Sequence, residues 1–255
     1  MCIRDRYYLN SASIKKGHKA LDLCTGTGIS ALYMSTFSDN VIGTDIDSEA
    51  IELAHINRRL NDCETKLEVR NENLYDTLDG RERFDLLTCN PPFIAFPPGV
   101  DATTYAHGTE ADGLGYMRHI IDRLPDVMTP GGSAYLVADI VGDDMAPHFI
   151  TELESFASSH HLAIDVYIDS KISADAQVSS LSPYLQRLNP NRTVDSIAAD
   201  FQQFQKDVLK AQQYYLSTVK LSTEATNSGV RVMNRFARPV AVSYTHLTLP
   251  TIYSV

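Results

Sequence analysis

No stretch of about 18 consecutive apolar residues occurs, so no segment is expected to cross a membrane as a helix. The N-terminus lacks the apolar core of a signal peptide. Cysteines are few. Cys2, Cys24, Cys63 and Cys89 show no paired metal-ligand spacing, so they read as reduced thiols of a cytoplasmic protein, with no metal expected. Basic residues are outnumbered, with 22 Lys and Arg against 32 Asp and Glu in 255 residues, a formal charge of −10. This argues against a nucleic-acid binder, which usually carries a basic face, unless charge is segregated. Internal repeats and low-complexity tracts are also absent. With 44% hydrophobic and 21% charged residues, the composition is that of an ordinary globular chain able to bury a sizeable core. The length suits one large α/β domain.

The two ends read differently from the rest. MCIRDR (1–6) and the segment 243–255 resemble translated sequencing-adapter read-through and are expected to be a non-native leader and tail, the alternative being genuine termini. One domain over 7–242 is expected between them. Setting the ends aside leaves the acidic excess in place.

Short apolar runs alternate with helical patterns, the signature of a largely parallel sheet covered by helices. ALDLC (20–24), NVIGTDI (40–46), KLEVR (66–70), FDLLTC (84–89), SAYLVAD (133–139) and LAIDVYI (162–168) read as strands. ISALYMSTF (29–37), a helix running to about Asn61 with Ser48 offered as its cap, residues 113–128 with a kink at Pro125, and 145–161 read as helices. The segment 170–213 reads as an insertion. It starts as a Ser, Pro and Asn-rich loop (170–192) and continues as a helix whose stripe is Val194, Ile197, Phe201, Phe204, Val208, Ala211 and Tyr215. Residues 214–222 and 229–236 read as two strands paired antiparallel.

The turn DLCTGTG (22–28) joins the first strand to the first helix. Gly26 and Gly28 permit a tight turn and close backbone approach to a ligand. Gly26-x-Gly28-x-x-Ala31 also fits the dinucleotide fingerprint, which is weak alone. Asp22, four residues before Gly26, repels a pyrophosphate and welcomes a cationic ligand. Asp45, at the end of the second strand, can accept hydrogen bonds from both hydroxyls of a ribose. Asp47 reads instead as a helix-entry acid, which leaves Asp45 as the ribose acid. A carboxylate near a positive centre and another on a ribose suit S-adenosylmethionine.

DLCTGTG, VIGTDID and then FDLLTCNPPF together resemble class I S-adenosylmethionine-dependent methyltransferases of the Asn-Pro-Pro-Tyr/Phe type. Among these the chain is most similar to the release-factor glutamine methyltransferases and their small-methyltransferase-domain relatives. HGTEADGLGYMRHII (107–121) and PGGSAYLV extend the likeness, which covers residues from about 15 to 142. The resemblance implies a Rossmann-like α/β fold with a mostly parallel seven-stranded sheet, helices on both faces and an antiparallel C-terminal hairpin. It implies S-adenosylmethionine held by Asp22, Cys24, Thr25, Gly26, Gly28, Asp45, Ile46, Asn73, Leu74 and Asn90. Cys24 departs from the family, which usually has glycine there. Asn73 stands where the family places an Asp toward the adenine amino group; the alternative is an ordinary loop residue.

Catalysis is expected from Asn90, Pro91, Pro92 and Phe93. Amide and exocyclic amino nitrogens are poor nucleophiles because their lone pair is delocalised. Two acceptors, the Asn90 side-chain carbonyl and the Pro91 backbone carbonyl, can orient such a nitrogen. Phe93 can stack on a planar acceptor. A protein glutamine is the first choice of acceptor. An adenine of rRNA or tRNA is the alternative, because Phe rather than Tyr ends the motif. A nicotinamide-dependent oxidoreductase and a cofactor-binding module without catalysis stand as further classes. His160-His161 reads as a helix C-terminus, His107 as a loop residue and Asp112 as a helix cap.

Overall fold

The computed structural model describes residues 18–103, 106–223 and 228–235. The expected leader 1–6 and tail 243–255 lie outside these residues. The first half alternates regularly: β1 (Lys19–Leu23), α1 (Ile29–Ser35), β2 (Asn40–Asp45), α2 (Ser48–Leu60), β3 (Leu67–Asn71), the single turn α3 (Leu74–Thr77) and β4 (Phe84–Cys89). The second half holds α4 (Gly115–Val127), β5 (Met128–Gly142), α5 (Ile150–His160), β6 (Ala163–Ser173), α6 (Ala174–Leu188), α7 (Val194–Phe204) with a π-helical turn at Gln205–Leu209, β7 (Gln213–Ser222) and β8 (Gly229–Asn234).

One eight-stranded sheet runs β3-β2-β1-β4-β5-β7-β6-β8. The strand order steps outward from β1 in both directions. Right-handed crossovers therefore place α1 and α2 on one face and α4 on the other. β4 is buried at nearly every position because both faces are covered. The fold is the Rossmann-like architecture expected, with one strand more. The antiparallel strand is β7, but it does not form a hairpin with β8. β7 pairs with β5 and β6, and β8 lies outside β6 and parallel to it. The burial of the two strands explains the choice. β7 is buried along most of its length and suits the sheet interior, whereas β8 is largely exposed and suits an edge.

Four local expectations change. Asp47, not Ser48, caps α2, its Oδ1 accepting the N–H groups of Glu49 (2.9 Å) and Ala50 (3.4 Å). Pro130-Gly131-Gly132 forms a bulge inside β5 rather than a turn before it, since Phe84 pairs with Met128 but Leu86 with Ser133. Most of the expected loop 170–192 is helix α6. Val178, Leu181 and Leu185 make a helical stripe there, Val178 and Leu185 buried and Leu181 partly so, and Ser173 caps the start. The stripe expected to run to Tyr215 ends sooner. Ile197, Phe201 and Phe204 are buried, but Val208 is exposed and Tyr215 belongs to β7.

Two apolar cores result. The larger lies between the sheet and its helices. The smaller joins α6 and α7 to the segment that follows β4. β6 runs in the same direction as β4 and β5, so the α6–α7 insertion leaves the sheet at the carboxyl edge of the parallel strands. That edge is where ligands enter folds of this kind.

Candidate active site

The glycine turn opens at the end of β1. Cys24 has φ 53°, a left-handed backbone that favours glycine, and it is the position where the resemblance expects one. Gly26 also has positive φ, and a β-carbon there would meet only open space. The turn is fastened from the next strand. Thr25 N–H donates to Thr44 O (2.9 Å) and Gly26 N–H to Asp45 Oδ2 (2.8 Å). Asp45 Oδ1 accepts from Asp47 N–H (3.0 Å). One carboxylate thus ties the ends of β1 and β2 together.

A cavity of about 620 Å³ faces this turn. Of the residues assigned from the sequence, Cys24, Gly26, Asp45, Ile46, Asn73, Leu74, Asn90 and Pro92 line it. Thr25 and Gly28 do not; they shape the turn behind it. Asp22 is also set back. It is buried, and both its oxygens accept hydroxyls, Oδ2 from Thr25 (2.6 Å) and Oδ1 from Thr88 (2.6 Å). It therefore acts as a braced charge behind the wall and does not line the cavity itself. Thr44, Asp47, Glu72, Tyr75 and Tyr116 line the cavity without having been assigned to it. Glu72 and Tyr75 flank the assigned pair Asn73-Leu74, and Tyr116 lies in the GLGYMR segment, so proximity in the chain was the available signal.

Asn73 is committed to the backbone. Its Oδ1 caps α3 by accepting Tyr75 N–H (2.7 Å) and Asp76 N–H (3.3 Å). The acceptor role toward an adenine amino group is thus already in use. Tyr75 packs on His119, ring centroids 4.4 Å apart, and faces Tyr116 at 6.4 Å. Burial, and then the Arg123 charge, hold the His119 imidazole below its ordinary pKa.

The Asn-Pro-Pro-Phe turn crosses the mouth of β4. Asn90 is exposed to the cavity, whereas Pro91 is buried and is not part of the cavity lining. Phe93 does not line the cavity. It is 9% exposed and belongs to the main core, so the expected stacking surface is a packing residue here. The turn is held by the chain that follows it. Ile94 N–H donates to Ala106 O (2.9 Å), and Gly108 N–H donates to Ile94 O (3.0 Å). Gly113, with φ 82°, sits so close to Phe93 that a β-carbon would lie 2.4 Å from the Phe93 carbonyl oxygen. Arg118 pins this loop, its guanidinium bonding Asp112 (2.7 and 2.8 Å), Glu110 (2.7 Å) and Glu152 (2.6 and 2.8 Å). Asp112 Oδ1 also accepts Leu114 N–H (3.1 Å) at the entry to α4.

The electrostatics are one-sided. Asp45, Asp47 and Glu72 line the cavity, Asp22 lies behind it, and no Lys or Arg is among the described residues that line it. Burial, then Cys24 and the charges of Asp22 and Asp45, push the Cys89 thiol well above its ordinary range. Such a cavity favours a ligand carrying positive charge and disfavours a pyrophosphate. Among the described residues no group of three His, Cys, Asp or Glu is placed to hold a metal ion, and no helix is long and apolar enough to cross a membrane.

Known proteins share sequence and fold with this chain. A family model described as methyltransferase small domain matches residues 7–141. The release factor glutamine methyltransferase of Clostridium acetobutylicum is 31% identical over 153 residues, covering 55% of this chain and 53% of that protein. The ribosomal protein uL3 glutamine methyltransferase of Neisseria gonorrhoeae is 33% identical over 124 residues, covering 45% of this chain and 41% of that one. The chain thus spans about half, or less, of the length of these curated relatives. Among solved structures, the YcgJ protein of Bacillus subtilis superimposes with a TM-score of 0.54 at 15% identity, over 87% of this chain and 98% of that one. The precorrin-6y C5,15-methyltransferase of Geobacter metallireducens gives 0.50 at 11% identity, over 86% and 88%. These two matches show a shared fold. With the family model covering more than half of its residues, the chain belongs to the methyltransferase small domain family.

Proposed function

We propose that the protein is an S-adenosylmethionine-dependent N-methyltransferase whose acceptor is a planar amide nitrogen, a protein glutamine side chain. One observation carries this reading: an exposed Asn90 lines a cavity that carries the carboxylates of Asp45, Asp47 and Glu72 and, among the described residues, no basic side chain. The residues present fit the cofactor. Gly26 leaves open space for close backbone approach, Asp45 lines the cavity with lone pairs left to accept ribose hydroxyls beside its two backbone bonds, and Ile46 and Leu74 offer apolar contacts to a purine. When bound, S-adenosylmethionine supplies a methyl group already activated by sulfonium, so neither a strong base nor a metal is required.

The protein's own task is orientation. The Asn90 side-chain carbonyl and the Pro91 backbone carbonyl each accept one N–H of the acceptor. Two such bonds turn the nitrogen lone pair toward the methyl group and disperse the positive charge that develops on nitrogen; as the N–C bond forms the methyl–sulfur bond would break to leave a neutral thioether, and the surplus N–H proton would pass to water. Pro91 has no N–H to compete, and its chain path is stiff. Positioning of this kind supplies roughly 7–11 kcal/mol in the best cases. The two named relatives are glutamine methyltransferases, which favours a protein acceptor over RNA. A cytoplasmic location goes with this reading.

The test has two arms. Thermal denaturation with S-adenosylmethionine or with NADH identifies the cofactor. At a hundred times its Kd the true ligand adds about 2.7 kcal/mol of stability, and NADH is expected to add none. Cell extract is then incubated with protein and methyl-labelled S-adenosylmethionine. Label that survives RNase and is lost to protease supports a protein acceptor. Label lost to RNase points to adenine, and an unlabelled extract would falsify the activity.

A further inference from the structure

The segment that follows the Asn-Pro-Pro-Phe turn packs away from the main core. Ala95, Phe96 and Val100 share the smaller core with Val178, Leu185 and Ile197 of the insertion. Phe96 stacks on Phe201 of α7, centroids 6.1 Å apart and planes 22° apart. The same two segments are joined by Asn189, the residue that ends α6, only 7% exposed. Its Nδ2 donates to Asp101 O (2.9 Å) and its Oδ1 accepts Asp101 N–H (2.9 Å). The same Nδ2 donates to Leu185 O (2.8 Å), which joins the loop to the last turn of the helix. A side-chain amide here does what a neighbouring strand does, by satisfying both backbone groups of one residue. The base of the insertion is fixed too. Ala174 N–H donates to Gln212 O (2.9 Å), and the Gln205 amide donates to Ala174 O (3.2 Å) and to the Tyr214 hydroxyl (3.1 Å).

We propose that the α6–α7 insertion is a strut for the catalytic turn, and that Asn189 is the positioning residue that couples the two. The proposal rests on the reading of Asn90 given above. Asn90 is exposed, and its own turn is short. What keeps it in place is the chain after it, which is a surface segment until the insertion buries it. Connecting segments move unless their polar groups are tied and their apolar groups buried. Ala106 and Gly108 tie Ile94 locally; beyond it, the bonds to Asp101 and the burial of Phe96 and Val100 draw on residues more than seventy positions downstream. A displacement of about 1 Å at such a site costs on the order of a hundredfold in rate. The strut does not touch the cofactor cavity, whose lining includes no residue of α6 or α7. It therefore acts on the rate of transfer and leaves cofactor affinity alone.

Two variants test this in the full chain, Asn189→Ala and the milder Phe201→Leu. Amide hydrogen exchange reads the coupling without any acceptor. Exchange over residues 90–103 is expected to accelerate at least about tenfold in each variant that retains a cooperative melt, with α1 and α2 unchanged. The rate of labelling of cell-extract protein at saturating S-adenosylmethionine should fall at least about tenfold, with the cofactor KM within about twofold of the parent. Unchanged exchange over 90–103 overturns the strut even if the parent labels nothing, an outcome that would count against the proposed activity instead. Accelerated exchange with an unaltered labelling rate overturns the positioning role, and so does a cofactor KM that rises in step with the lost rate. If both variants lose the cooperative melt, Asn189 is a residue of general stability and the proposal fails.

Discussion

Asp22, Asp45 and Asn73 were all picked out by position in the sequence, and each does something different in the folded chain. Only Asp45 keeps both a structural bond to the glycine turn and a place on the cavity wall. Asp22 is enclosed by two threonine hydroxyls, one of which, Thr88, comes from a strand 66 residues away and could not be paired with it by reading along the chain. Asn73 is read as a ligand by its place after β3, but its oxygen serves as a helix cap. Two predictions belong at this scale. Asn90→Ala should leave S-adenosylmethionine affinity nearly intact in calorimetry and lower turnover at least about tenfold, a loss of roughly 1.4 kcal/mol of transition-state binding. Gly113→Ala should be worse than its size suggests. The new β-carbon meets the Phe93 carbonyl and the backbone is at positive φ, so the chain must shift at the Asn-Pro-Pro-Phe turn. A loss of about 1–3 kcal/mol in denaturant unfolding is expected, together with lost activity.

At the scale of elements, strands were legible to within a residue or two where burial is continuous, as in Phe84–Cys89. Helices were legible where polar and apolar positions alternate cleanly. α6 was not, because serines and Pro183 dilute its stripe and the composition resembles a loop. Its helix is imposed by packing, with Val178 and Leu185 facing Phe96 and Val100. Tertiary contacts of this kind override weak propensity. Pro183 lies inside that helix and removes one of its backbone hydrogen bonds. Pro183→Ala should therefore raise the unfolding free energy by about 1–2 kcal/mol, seen as a higher Tm, with methyl transfer unchanged. A lower Tm would show that the ring itself is needed there.

Across the whole molecule, ionic contacts hold separate elements together, and their pH dependence can be signed. Burial pushes the Asp112 carboxyl up, but the Arg118 guanidinium and the Leu114 N–H pull it further down, below its ordinary value of 3.8. Glu68 and Glu82 are likewise held below 4.5, each first by its hydrogen bond to Arg70. A folded pKa below the unfolded one contributes stability that is complete above the unfolded value and lost as pH falls through the folded value. These groups therefore leave stability flat above about pH 5 and lower it progressively below about pH 4. Arg118→Met should remove about 1–3 kcal/mol at pH 7, discounted for partial exposure, and should shift the acid unfolding midpoint to higher pH. An unmoved acid midpoint would rule out the Arg118 cluster as the link between the 107–114 loop and α5. What the sequence determined alone is local: the apolar runs, the glycine turn with its acids, and the Asn-Pro-Pro-Phe motif, because each depends on neighbouring residues and the chemistry they carry. What only the tertiary structure decided is long-range. It threads β7 between β5 and β6, turns Phe93 into the core, and packs α6 and α7 against the segment that follows the Asn-Pro-Pro-Phe turn. Those outcomes depend on which surfaces can bury one another, and that is settled only when distant segments meet.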